Sequence, residues 1–202
     1  MTYAQLKPLR MITYQIDQED YLQHMNEQWD SFAFENKGEQ LSSTKVINRS
    51  LWEFITGTDV RRIYQVLLQR VRASKKAVRF PYRCDSPEMK RYMHMSIVPF
   101  QTGSDIQMYS REIKLVPQKS IANLHFVNDH NTLLKAYLRC SMCNGYYING
   151  EWIEIEDAVQ RENIFDVDGR ILVMSSVCGK CSSRLMAIGT TASIIQENPA
   201  GN

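Results

Sequence analysis

Of the five cysteines in the 202-residue chain, four fall in two C-x-x-C pairs, Cys140/Cys143 and Cys178/Cys181, with 34 residues between the pairs. Two residues between cysteines let both sulfurs turn toward one ion, and two such knuckles complete the tetrahedron of thiolates that zinc prefers. The spacing therefore predicts a structural Zn2+ held by Cys140, Cys143, Cys178 and Cys181. Four thiolates leave no open position for water or substrate, so a catalytic zinc is not expected. Disulfide-linked or merely buried cysteines are the alternative, disfavoured in a compartment that keeps thiols reduced. A dithiol redox pair would sit near the start of a helix in a β-α-β unit, and the pattern around neither pair reads that way. Gly179 is expected to let the second turn bring backbone N–H groups toward the thiolates. About 45 residues cannot build a core alone, so the metal is expected to fold residues 140–186. Losing one ligand should then unfold that segment and leave the rest of the chain folded.

Other candidate chemistry is sparse. Cys84 is a single thiol whose pKa the nearby Arg79 and Arg83 could lower, making it reactive; an inert thiol is the alternative. His24, His94, His125 and His130 read as structural or surface histidines. The sequence has no Gly-rich phosphate loop and no Ser/His/Asp or Cys/His arrangement, so no enzyme is expected. Net charge is +2, with 17 basic and 13 acidic side chains in residues 1–116 against 7 and 9 in residues 117–202, too small an asymmetry to imply a polyanion partner by itself. No apolar run approaches the length of a membrane span, and MTYAQLKPLR lacks the apolar core of a signal peptide, so a cytoplasmic protein is expected.

The elements that must position the cysteines are legible in outline. Residues 11–20 alternate apolar and polar and end in an acidic turn, as a strand does; a second strand runs from Tyr21 into a helix over Trp29–Glu35. Gly38 is expected to take the left-handed conformation beyond that helix. Asp59 is expected to cap a longer helix with Ile63, Val66, Leu67 and Val71 on one face and Arg61, Arg62, Arg70 and Arg72 on the other. That basic face could hold nucleic acid, or could simply be solvated. Three strands follow, around Val78–Arg83, Met89–Phe100 and Asp105–Val116. Pro81 cannot donate to a ladder, which puts the first of them at an edge or a bulge. Residues 132–138 are compatible with a helical turn, and the last dozen residues are expected to fray.

Two strands, a helical middle and three antiparallel strands over Met11–Val116 resemble a PAS domain. Asn26-Glu27-Gln28-Trp29 opens the first helix, and Arg49-Ser50-Leu51-Trp52-Glu53-Phe54-Ile55 resembles the family's G-x-S-L-W-D-F-I, with Asn48 standing where many members have Gly. The resemblance implies strand order 2-1-5-4-3. It also implies a ligand pocket for which Trp29, Phe32, Trp52, Phe54, Phe80, Tyr82, Met93, Met95 and Met108 are candidates, unless these side chains simply form the core.

Cys140-Ser141-Met142-Cys143, Gly150 to Glu156 and Ser176 to Cys181 resemble a small C-x-x-C module at the ends of bacterial PAS and response-regulator signalling proteins. The chain lacks that module's Lys-Lys and His, and has Gly179 where Pro is common. The implied class is α+β, a PAS-like five-stranded antiparallel sheet with a helical insert plus a small zinc-ribbon-like C-terminal module. The implied division is an N-terminal segment (1–10), a PAS-like domain (11–116), a linker (117–139), a zinc-binding module (140–186) and a tail (187–202). The implied function is a non-catalytic bacterial sensor, homodimeric through the PAS domain, whose output lies in an unidentified signalling partner. A nucleic-acid-binding transcriptional regulator and a thiol/zinc redox sensor are the alternatives.

Overall fold

The computed structural model describes residues 9–86, 88–100, 103–118, 124–126, 136–161, 164 and 171–189. The alternation at the N-terminus forms β1 (Met11–Ile16), which buries Ile12 and Ile16 and pairs antiparallel with β2 (Leu22–Met25). The chain then makes α1 (Glu27–Glu35), α2 (Ser43–Val46) and α3 (Thr58–Ser74), with 3-10 turns at Glu39–Leu41 and Leu51–Glu53. β3 (Val78–Arg83), β4 (Met89–Pro99) and β5 (Ile106–Pro117) complete a five-stranded antiparallel sheet of order β2-β1-β5-β4-β3. Pro81 thus lies on an edge strand, where its missing N–H costs no ladder bond.

Three local expectations are corrected. The left-handed residue after α1 is Lys37, at φ 56°, while Gly38 donates its N–H to the Ala33 carbonyl at 2.7 Å. Gly38 is needed for closeness instead: a Cβ there would lie 3.3 Å from that oxygen. Asp59 does not cap α3; the helix starts at Thr58 with Gly57 before it, and Asp59 sits in the first turn, accepting from the Ser176 hydroxyl at 3.2 Å. The buried stripe of α3 is Val60, Ile63, Leu67, Leu68 and Val71, with Val66 only half-buried. Asn48 has φ 62°, a backbone state that asparagine tolerates better than most residues and glycine adopts freely, which accounts for the alternation of the two at this position.

Beyond the first sheet come β6 (Leu124–Phe126), β7 (Tyr137–Cys140), β8 (Tyr146–Ile148), β9 (Glu151–Ile153), α4 (Ile155–Arg161), β10 (Ile171–Ser176) and α5 (Gly179–Ala187). They build a second five-stranded sheet, β6-β10-β7-β8-β9, in which β10 runs parallel to both β6 and β7. This sheet is larger than a ribbon and draws β6 and most of β7 from the stretch read as a linker. The helical turn expected over residues 132–138 falls partly outside the described residues, and its last two residues belong to β7. The frayed C-terminus expected from residue 191 onward lies outside them entirely. A small core under the second sheet gathers Tyr146, Ile148, Ile155, Ala158, Ile171 and Val173.

The two sheets are not independently packed. Cys140, Met142, Val177, Cys178, Cys181 and Leu185 belong to the same buried cluster as Ile63, Leu67, Phe80 and Met95 of the first sheet and α3. Polar contacts close the seam. Arg70 donates to the carbonyls of Met186 and Ile188, both at 2.7 Å, and Arg83 reaches Glu154 at 2.6 Å while also pairing with Asp85. Lys90 bridges Glu154 and Glu156 at 3.1 and 2.7 Å. At Gly57, φ 86°, a Cβ would lie 2.6 Å from the Ser175 carbonyl oxygen, so α3 meets β10 only because that position has no side chain. Gly57→Ala is expected to cost about 2–4 kcal/mol through clash and backbone strain together, seen as a lower urea midpoint of a single unfolding transition.

Candidate metal centre

β7 delivers Cys140 at its C-terminal end, directly opposite Ser176 of the parallel strand β10. Parallel register therefore brings the two residues that follow Ser176 alongside the first knuckle: Cys178 donates its N–H to Cys140 Sγ at 3.3 Å. The first knuckle closes through Asn144, at φ 65°, whose N–H bonds the Cys140 carbonyl at 2.9 Å, while Cys140 N–H bonds the Gly145 carbonyl at 2.8 Å. Asn144 also donates its side-chain amide to Asp85 at 2.7 Å, anchoring the knuckle to the end of β3. The second knuckle is the start of α5, where Cys178 occupies the N-cap and its Sγ accepts from Cys181 N–H at 3.4 Å.

The result is four sulfurs all within 4.8 Å of one another, Cys143 and Cys178 at 3.9 Å, with Cys140, Cys178 and Cys181 buried and Cys143 half-buried. A tetrahedron of thiolates about 2.3 Å from one ion has sulfurs about 3.8 Å apart, so the cluster fits a zinc-sized cation. All four are free thiols. Left to themselves they compete for protons. Hydrogen bonds from the Cys143 and Cys181 thiols hold Cys140 far below the ordinary thiol range, and the Cys143 thiol, bonded to Cys140, is pushed up to about 11. The Cys181 thiol, shared with Cys140 and Cys143, is driven up as well. All four sulfurs could be ionised at this spacing only with a cation among them. The N-terminal end of α5 and the Arg184 guanidinium, 4.0 Å from Cys181 Sγ, add positive potential at the rim.

Two readings of the cysteine sequence change. The second pair does sit at the start of a helix after a parallel strand, the setting of a redox dithiol; what sets it apart is the first pair, close enough to complete a four-sulfur cluster. Gly179 has no positive φ, and a Cβ at that position would meet nothing within 4 Å, so the turn does not require glycine. As the first residue of α5 it holds a position where proline is also favourable, in keeping with proline's frequency there in the module it resembles.

Two cavities lie between the first sheet and its helices. One, of about 370 Å3, is lined by Trp29, Phe32, Tyr82, Met93 and Met95, with Cys84 in its wall. The other, of about 300 Å3, shares Tyr14, Trp29 and Tyr82 with it and adds Phe54 and Tyr64. Of the remaining candidates, Phe80 and Met108 are fully buried in the core. Trp52 packs at the core's edge and donates its indole N–H to Asp20 at 2.9 Å. Of the polar groups in the cavity walls, Tyr82 is among the sequence candidates, whereas Tyr14, Tyr64 and Ser110 are not. Tyr82 and Ser110 share a hydrogen bond, and Tyr14 and Tyr64 join them from β1 and α3. Only an alternation of tyrosine with aliphatic residues on the inner faces of β1 and β3 hinted at them.

Burial drives the Tyr14 and Tyr82 phenols upward and pushes Tyr64 up to about 12. Burial likewise pushes the Cys84 thiol up, against the pull of Arg91, and Arg83 is engaged with Asp85 and Glu154; of the two readings of Cys84, the inert thiol fits the structure. His24 is exposed, His94 is half-buried opposite Pro81, His125 lies in β6 and His130 falls outside the described residues.

No family model matches the sequence, and no curated protein matches it. Solved structures do. A domain of HTR-like protein from Haloarcula marismortui ATCC 43049 superposes with TM-score 0.38 at 12% identity, over 52% of this chain and 98% of that one. The PAS domain of nitrogen regulation protein NR(II) from Vibrio parahaemolyticus gives 0.34 at 14% identity, over 51% and 89%. The PAS domain of HTR-like protein from Haloarcula marismortui gives 0.32 at 17%, over 54% and 84%. What makes residues 11–117 PAS-like in fold is their own β2-β1-β5-β4-β3 strand order around a helical middle.

Because Cys140 lies in the core shared by both sheets, the expectation that a lost ligand unfolds only residues 140–186 is replaced. Cys140→Ser should lower the stability of the whole chain by about 3 kcal/mol or more. Circular dichroism melting and limited proteolysis check this; residues 11–116 melting as in the parent would count against it. Alkali gives a second test. Tyr64 ionises near 10 when unfolded and at about 12 when folded, so its contribution is complete below pH 10 and is lost as pH rises toward 12. Tyr64→Phe should flatten the decline of urea stability across that window, with phenolate absorbance reporting the titration.

Proposed function

We propose that this chain is a non-catalytic sensor in which a PAS-like domain takes a small molecule in its cavities and a structural zinc on Cys140, Cys143, Cys178 and Cys181 holds the C-terminal sheet against it. The observation that carries the reading is the four-sulfur cluster lying within the core of the PAS-like sheet, rather than in a separate unit. A metal held there fixes the end of β7 and the start of α5 together, and so fixes the second sheet on the first. Zinc bound by four thiolates supplies fold stability and no open coordination position. A ligand that favours one arrangement of the helical middle shifts the population of that arrangement, and the second sheet carries the change to a partner protein. Homodimerisation through the PAS-like domain belongs to the same proposal, as does a bacterial signalling context.

The regulator of nucleic acid is the weaker reading. Its basic helix face is largely engaged within the chain: Arg61 bonds the Ile55 carbonyl, Arg70 the end of α5, and Arg72 the Ser104 and Asp17 carbonyls. Among the described residues, no helix is long and apolar enough to cross a membrane.

Elemental analysis of natively purified protein is expected to find one zinc per chain. Native mass spectrometry should show the corresponding mass, lost after treatment with acid and chelator. Metal-free protein with Cys178 and Cys181 oxidised to a disulfide would instead support the thiol redox reading.

A further inference from the structure

The two residues enclosed by the first C-x-x-C pair, Ser141 and Met142, are part of the wall of the 300 Å3 cavity. Met142 is 2% exposed, and its carbonyl accepts the Arg83 N–H at 2.8 Å, which binds the loop to the edge of the first sheet. Ser141 donates its N–H to the Ser176 carbonyl at 2.9 Å, which binds it to β10. Cys140 and Cys143 clamp the same short loop at both ends, so a metal on those sulfurs fixes the position of Met142. The opposite wall comes from the PAS-like helices and sheet, through Trp29, Phe54 and Tyr64. Among the described residues, no charged side chain lines this cavity; its polar groups include the hydroxyls of Thr56, Ser141 and the tyrosines, set among aromatic faces. Aromatic walls with a few hydroxyls suit a flat, uncharged molecule carrying one or two hydrogen-bonding groups, and disfavour an ion, which would lose its hydration uncompensated.

We propose that the Cys140–Cys143 loop is a metal-clamped wall of this cavity, so that occupation by an uncharged planar molecule and retention of the metal reinforce each other. The proposal rests on the zinc-holding sensor reading above. An occupant packed on Met142 holds the loop in the geometry the metal needs. Loss of the metal frees the loop, withdraws Met142 and removes contacts from the occupant. Thermodynamic reciprocity makes the two effects equal in free energy. The small molecule is then read out directly at the seam between the sheets, without a relay through the length of α3.

The test uses the full chain, loaded with zinc, and indole as the probe. Partition of zinc between the protein and a chromogenic chelator is measured at equilibrium with and without saturating indole, whose binding is measured by calorimetry. Indole is expected to raise the apparent zinc affinity by about 5-fold or more. In Met142→Ala, which removes the wall contact, the gain should fall toward none; the near-isosteric Met142→Leu should keep most of it. Parent protein that takes up no indole, or takes it up with zinc affinity unchanged, overturns the proposal. So does a Met142→Ala protein in which indole raises zinc affinity as in the parent. Absence of zinc from the natively purified chain would overturn the sensor reading instead, a result that elemental analysis separates from these.

Discussion

Burial of the cysteine knuckles against α3 and the first sheet is the packing on which the rest of the molecule depends. A free-standing zinc module would present its ligands on its own small core. Here Cys140, Met142, Cys178, Cys181 and Leu185 share a core with α3 and β3, and the cysteine cluster lies where the two sheets meet. The close approach explains features that look unrelated in sequence: a glycine at position 57 against Ser175, an arginine at 70 that reaches the end of α5, and an Arg83 that joins Asp85 and Glu154. Each satisfies groups that close packing would otherwise leave crowded or unpaired.

The same packing deals with the exposed edge of the first sheet. β3 is an edge strand, and an unprotected edge invites pairing with another chain. Pro81 removes one donor, the Met142 carbonyl accepts the Arg83 N–H, and Arg184 reaches the Pro81 carbonyl at 3.3 Å. The first knuckle therefore protects an edge, places two of the four clustered sulfurs and walls a cavity at once. A change at the cysteine cluster is in this way a change at the PAS-like sheet.

Legibility followed the range of the interaction. Pro81 at an edge could be read because proline lacks a donor wherever it stands, and Ile63, Leu67 and Val71 of the α3 stripe because helical periodicity repeats within a few residues. The details that failed were decided by groups distant in sequence or by close contact. Lys37, not Gly38, takes the left-handed state because Gly38 is needed bare against Ala33. Asp59 is drawn into a bond with Ser176 rather than a cap. β6, three residues long, has too little alternation to be seen and exists through its pairing with β10. Phe80 and Met108 could not be told from cavity residues, since a core wall and a pocket wall use the same side chains.

The sequence by itself determined the two C-x-x-C pairs and the succession of two strands, a helical middle and three strands, because C-x-x-C spacing and local periodicity are set by covalent geometry over a few residues. Only the tertiary structure decided that the cysteines belong to one core with the PAS-like sheet, that the second pair opens a helix beside a parallel strand, and that Ser141 and Met142 face a cavity. Those outcomes depend on β7 and β10 aligning in parallel and on which faces α3 and β3 leave open. The β7–β10 register joins residues 36 positions apart and the Thr56–Ser175 contact joins residues 119 apart, separations for which no local pattern in the chain supplies a signal.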